Sequence, residues 1–108
     1  MSRHFVILDS AKEEFKEIKQ YVKTQFGDMI WSEVNHEYKT AFTLIKSNPQ
    51  SGSPIEELKE LGINHIQYRL VRQTRIIYEI DGDFILIHMF ISTKRDFISH
   101  LMKRLFNQ

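Results

Sequence analysis

Hydrophobic positions along this chain change period once. Through the first half they recur every three or four residues, and from His65 they recur every second residue. "HFVIL", His4 to Leu8, is a short β-prone run. Ala11, Phe15, Ile18, Val22 and Phe26 then follow at helical spacing with Lys and Glu between them, which predicts an amphipathic helix. "SAKE" sets Ser10 three residues before Glu13, the spacing of a capping box, and Asp9 offers an alternative cap. Gly27 can end that helix because it tolerates the left-handed conformation, and Asp28 is placed to cap the next. Ile30, Val34, Tyr38, Ala41 and Ile45 mark a second buried stripe. With almost no linker between them, the two helices are expected to form an antiparallel hairpin.

"SNPQSGSP", Ser47 to Pro54, is dense in turn residues, and "IEELKELG" reads as a brief helical turn closed by Gly62. "HIQYRLVR", "RIIYEI" and "FILIHMFI" read as three strands. Asp81-Gly82 is a hairpin signal, since a type I′ turn needs positive φ at both central residues. "TKRDFISHLMKRLFNQ" predicts a final helix with an apolar stripe of Phe97, Ile98, Leu101, Met102 and Leu105, and Lys103 and Arg104 favour its dipole. The expected fold is α+β, one domain over residues 1–108. A short N-terminal strand and a helical hairpin pack on a small antiparallel sheet, with a C-terminal helix.

Register follows from face consistency. A three-residue loop of Arg72, Gln73 and Thr74 puts Ile66, Tyr68, Leu70, Ile76, Tyr78, Ile80, Ile85, Ile87, Met89 and Ile91 on one apolar face, expected against the hairpin. A two-residue turn at Gln73-Thr74 would oppose Arg72 to Arg75, a like-charge pair, and is disfavoured. The other face then carries Gln67, Arg69, Val71, Arg75, Ile77, Glu79, Phe84, Leu86, His88 and Phe90. Arg69, Arg75 and His88 are expected to converge there, a patch suited to a polyanion or an acidic partner. The bland reading is a solvated sheet face on which Glu79 pairs with an arginine.

Composition narrows the chemistry. The absence of cysteine excludes disulfides, thiolate metal sites and cysteine nucleophiles. The longest apolar run, "FILIHMFI", is too short to span a bilayer, and "MSRHFVILDSAKEE" meets charge too early for a signal peptide, so a cytoplasmic protein with no membrane association is expected. Residues 1 to 64 hold eight Lys/Arg and ten Asp/Glu, and residues 65 to 108 hold seven and four, so the C-terminal part is the basic one. The five histidines are scattered, and "HEYKT" has Thr40 where a zinc motif needs its second histidine. No metal and no cofactor is expected. No glycine loop for phosphates and no G-x-S-x-G is present. Trp31 and the helical Phe residues read as core.

The order of Tyr68-Arg69-Leu70, Arg75-Ile76-Ile77-Tyr78, Asp81-Gly82 and Arg95-Asp96 resembles the ParE/RelE superfamily, the toxins of type II toxin–antitoxin modules. The likeness covers nearly the whole chain, and its specificity lies in order and spacing. RelE-like members cleave mRNA in the ribosomal A site with basic residues and, in many, a C-terminal tyrosine. Carried over residue by residue, that set is Arg69, Arg75 and Arg95, and His65 or His88 could substitute as proton carrier. The tyrosine position falls at about Leu101, and the paired lysines often found at "NHIQ" are missing. ParE-like members share the fold without that constellation, inhibit DNA gyrase and are neutralised by a small antitoxin.

The ending "TKRDFISHLMKRLF" resembles the ParE branch more closely. The resemblance therefore implies a gyrase-binding inhibitor with a cognate antitoxin, meeting operator DNA only through that antitoxin. The rivals are a ribosome-dependent mRNA endonuclease and a non-toxic basic-faced binding module. Target contacts are expected from Arg69, Arg75, Lys94, Arg95, Lys103 and Arg104, and antitoxin contacts from Phe84, Leu86, Phe90, Phe97 and Leu101.

Overall fold

A computed structural model describes residues 3–94 and 96–106. Strand β1 (His4–Ile7) leads into helix α1 (Asp9–Phe26), then α2 (Asp28–Ser47). A 3-10 turn (Pro49–Ser51) precedes the two-residue β2 (Ser53–Pro54) and the short α3 (Glu56–Glu60). Strands β3 (Ile66–Val71), β4 (Thr74–Asp81) and β5 (Phe84–Ser92) follow, and α4 (Phe97–Phe106) closes the order. The α+β architecture is the expected one. The sheet, however, is mixed: its order is β1-β5-β4-β3-β2, and β1 runs parallel to β5.

The helix boundaries differ from expectation at their caps. Helix α1 begins at Asp9, one residue before the proposed box, with Leu8 in an extended conformation and no side-chain cap. The cause is β1. Leu8 N–H donates to Ile87 O at 3.1 Å, continuing the strand, while Leu8 O already accepts from Lys12 N–H at 2.9 Å. The residue between strand and helix is Leu8, whose apolar side chain cannot cap. Gly27, at φ 92°, serves both helices: its N–H donates to Lys23 O and its carbonyl accepts from Trp31 N–H. Asp28 therefore does not cap α2, but its charge lies in the first turn where the dipole favours it.

Two local events overturn the expected face assignment. In the β3–β4 hairpin Val71 pairs with Thr74, so the loop is two residues, Arg72-Gln73, and not the three-residue loop. Arg72 takes φ 53°, a left-handed conformation that L-residues disfavour by about 1–2 kcal/mol, and its guanidinium holds Glu37 of α2 at 2.8 Å and 3.1 Å. The one-residue change in loop length turns β3 over, sending Gln67, Arg69 and Val71 toward the hairpin. In β5, Tyr78 pairs with Ile87 but Ile77 pairs with Met89, leaving His88 as an extra residue in a β-bulge. Beyond it the phase inverts. Phe90 stays on the hairpin side with Ile85 and Ile87, and Met89 and Ile91 cross to the other. The β4–β5 turn is Gly82-Asp83, because Asp81 pairs with Phe84; this shift preserves the expected faces near the turn.

Both faces of the sheet are thus covered. Trp31, Val34, Tyr38, Ala41 and Ile45 of α2 pack with Ile76, Tyr78, Ile85, Ile87 and Phe90. On the opposite face Ile55 and Leu58 at α3, and Leu101 of α4, cover Ile66, Ile77, Met89 and Ile91.

Candidate functional site

The bulge at His88 places unsatisfied backbone groups beside two elements that supply partners. Glu14 of α1 accepts from Phe90 N–H at 3.0 Å through one oxygen, and its other oxygen accepts from Arg104 of α4. Arg104 also donates to His88 O at 2.8 Å. One carboxylate and one guanidinium therefore clip α1, β5 and α4 together, in charge-assisted bonds that are partly shielded from water. Sequence reading missed Glu14. Its signal was an acid inside the apolar stripe, three residues after Ala11 and four before Ile18.

The His88 side chain is 6% exposed, and its Nε2 lies 2.6 Å from Glu79 Oε1. The other Glu79 oxygen lies 3.4 Å from Nε2 of the exposed His65. Glu79 thus pairs with histidines, where an arginine partner had been anticipated.

The expected convergence of Arg69, Arg75 and His88 does not occur. Arg69 belongs to the hairpin side and donates to Ser51 Oγ at 2.5 Å. Arg75 is on the α4 side, its guanidinium 5.2 Å from the centre of the Tyr68 ring. Tyr68 and Tyr78, expected on one face, are likewise split. Tyr78 is wholly buried and donates to Pro49 O at 2.7 Å, and burial pushes its pKa above the ordinary tyrosine value. Arg69 and Tyr78 together pin the turn-rich loop against the sheet.

Of the remaining expected contacts, Lys94 and Lys103 are exposed, and Arg104 is committed to Glu14. Phe84 is 47% exposed and Leu86 half-buried, but Phe90 is buried on the other side of the sheet, so the three do not form one surface. Leu101 is completely buried under α4. Arg95 and the side chain of Phe97 lie outside the described residues. Among the described residues no group of three or more His, Asp or Glu could hold a metal, and no helix is long and apolar enough to cross a membrane.

The family model described as "ParE toxin of type II toxin-antitoxin system, parDE" matches residues 5–97. The chain belongs to the ParE toxin family. It is therefore the toxin of a type II toxin–antitoxin system, and a ParE toxin in such a system has a cognate antitoxin. Among solved structures, one titled "Chromosomal ParDE TA system from P. aeruginosa" superposes with a TM-score of 0.66 at 8% identity, covering 83% of this chain and 95% of that one. That likeness is one of fold. No curated protein matches the sequence. The ParE assignment agrees with the order of the Tyr-Arg-Leu, Arg-Ile-Ile-Tyr and Arg-Asp segments, whose hairpin register the sequence alone had misjudged.

Proposed function

We propose that this ParE toxin acts by binding DNA gyrase, without catalysis, and is neutralised when its antitoxin covers part of the same surface. The observation that carries the non-catalytic reading is the separation of the ribonuclease set. Arg69 and Arg75 stand on opposite sheet faces and cannot surround one phosphate. In-line attack by a 2′-hydroxyl needs a proton acceptor, a donor and cations around one developing charge. By resemblance, the position where ribonuclease members carry a tyrosine falls at about Leu101, which is apolar and buried. Of the expected target contacts, Lys94 and Lys103 are exposed among the described residues and available to a macromolecular target. For the antitoxin, Phe84 is the accessible apolar residue of the expected set, with Leu86 beside it on the same strand.

The deciding experiment pairs gyrase supercoiling with mRNA cleavage in a translating extract, using the purified chain. Inhibition of supercoiling with no cleavage is the expected result. Cleavage that disappears in Arg95→Ala would instead assign the protein to the ribosome. Within the same reading, Phe84→Asp is expected to weaken antitoxin binding by about tenfold or more. Unchanged affinity in the folded variant would move the antitoxin elsewhere.

A further inference from the structure

Two stretches of the helical hairpin share one pattern. "KEEFKEIK", Lys12 to Lys19 in α1, and "KTAFTLIK", Lys39 to Lys46 in α2, both read K-x-x-F-x-x-I-K. Their phenylalanines meet between the helices, with the Phe15 and Phe42 ring centres 6.3 Å apart. Residues three before and four after a helical position share its flank. Lys12 and Lys19 therefore bracket Phe15, and Lys39 and Lys46 bracket Phe42. The two helices turn back on each other through Gly27, so Lys12 falls toward the Lys46 end and Lys19 toward Lys39.

Lys16 and Lys23 extend the α1 row. Steps of four, three and four residues from Lys12 to Lys23 make it about 16 Å long at about 1.5 Å per residue. Lys23 Nζ lies 3.6 Å from Asp28 at the start of α2, so this row borders the partner helix. All six lysines are exposed. Among the described residues Lys12, Lys19, Lys39 and Lys46 make no ion pair, and Lys46 Nζ lies 4.8 Å over the Phe5 ring. The acids nearby are Asp28 on Lys23 and Glu13, 3.3 Å from Lys16, both in exposed pairs that hold their lysines weakly. Glu17 follows Glu13 on the next row of α1, about 100° round the helix. Glu33 and Glu37 face Arg72 from the other flank of α2. The half of the sequence with more acids than bases thus gathers its cations along one outer groove.

We propose that this groove binds the phosphate backbone of double-stranded DNA, a contact of this chain with DNA alone and independent of the gyrase reading. Two cation rows on helices packed about 8–10 Å apart match two phosphate strands, since B-DNA grooves are about 6 and 12 Å wide and long lysine stems span the difference. A single strand would gain from exposed rings on which its bases stack. None stands in the α1 row: Tyr21 shares the flank of Glu14, and Phe26 at the hairpin tip turns its ring to Tyr21. Neither helix contains an arginine, the residue that most often reads guanine, so the contact is sequence-independent.

Fluorescence anisotropy of short labelled duplexes with the purified full chain tests this, at about 0.1 M salt, where charges more than about 10 Å away are largely screened. Two unrelated duplexes are expected to bind equally. With about four phosphates neutralised, log affinity should fall against log salt with a slope of about −3.6. Lys19→Gln with Lys39→Gln is expected to weaken binding about tenfold and to flatten that slope by about 1.8. Lys19→Arg with Lys39→Arg should bind as the parent does. Lys94→Gln with Lys103→Gln removes the same charge from the C-terminal part and should weaken binding by less than about twofold. Thermal unfolding of each pair, all at exposed positions, checks that the fold is kept. No binding, equal loss from the two Gln pairs, or tighter binding of single-stranded DNA would each overturn the proposal. Equal competition by poly-glutamate would also overturn it and assign the groove to an acidic protein.

Discussion

Gly52 shows how much one missing atom can decide. A Cβ there would stand 2.0 Å from Tyr78 Oη, at the hydroxyl that holds Pro49 O. Gly52→Ala is therefore expected to destabilise the fold by about 1–3 kcal/mol, through overpacking and a lost buried hydrogen bond. Adding Tyr78→Phe removes the worst of the three close contacts, leaving Gln67 Oε1 at 2.8 Å and Tyr78 Cζ at 2.9 Å, so the double variant should lose less than the two single losses combined, measured by chemical denaturation. The Arg72–Glu37 pair gives a pH signature. The hydrogen bond from Arg72 holds the Glu37 pKa below its ordinary value of 4.5. A depressed folded pKa means that the contribution is complete above the ordinary value and is lost as pH falls through the lower one. Glu37→Gln should therefore lose stability relative to the parent at about pH 6 and converge with it as pH falls through the lowered Glu37 pKa. A constant gap between the two stability curves would refute this assignment. Because both side chains are largely exposed, the effect will be small and weakened by salt.

At the level of elements, α4 depends on Arg104 as well as on its apolar stripe. Arg104→Ala should lower hydrogen-exchange protection of the α4 amides by about tenfold while leaving the β4 amides unchanged. Arg104→Lys should recover little, since an ammonium cannot hold Glu14 and His88 O with one rigid fork. Equal loss of protection in β4 would show that α4 is not a separate cooperative unit. The elements themselves were legible from sequence, because helical and strand periods reflect which positions meet a core. Their faces were only half legible. Ile76, Tyr78, Ile80, Ile85 and Ile87 fell where alternation put them. Everything after His88 in β5, and all of β3, was inverted by a single inserted residue and by a loop one residue shorter. Strict alternation carries no mark of a bulge, and Arg72 is not a residue from which positive φ is expected. The candidate site suffered most, because convergence of Arg69, Arg75 and His88 required both faces to be right.

For the molecule as a whole, one sheet divides two cores of unequal size. The smaller core, beneath α3 and α4, depends on Leu101, which is fully buried there. Leu101→Ala should destabilise by about 2–5 kcal/mol, read by denaturant unfolding. A loss under about 1 kcal/mol would mean that α4 can settle into the space. The positive net charge of the C-terminal part is concentrated on the same side of the chain order as these elements. Much of it is neutralised within the fold: Arg72 by Glu37, Arg104 by Glu14. A basic segment in sequence is therefore a much less basic surface in space.

The parallel pairing of β1 with β5 joins His4 to Phe84. A ribosome adding about 5–20 residues per second takes roughly 4–16 s to make the strand that β1 needs. Until then the first strand has no neighbour in the finished sheet, and Glu14 has no Arg104 to hold. The order of synthesis thus keeps the sheet open until its last strand exists, so the mature surface of this toxin emerges late and nearly all at once.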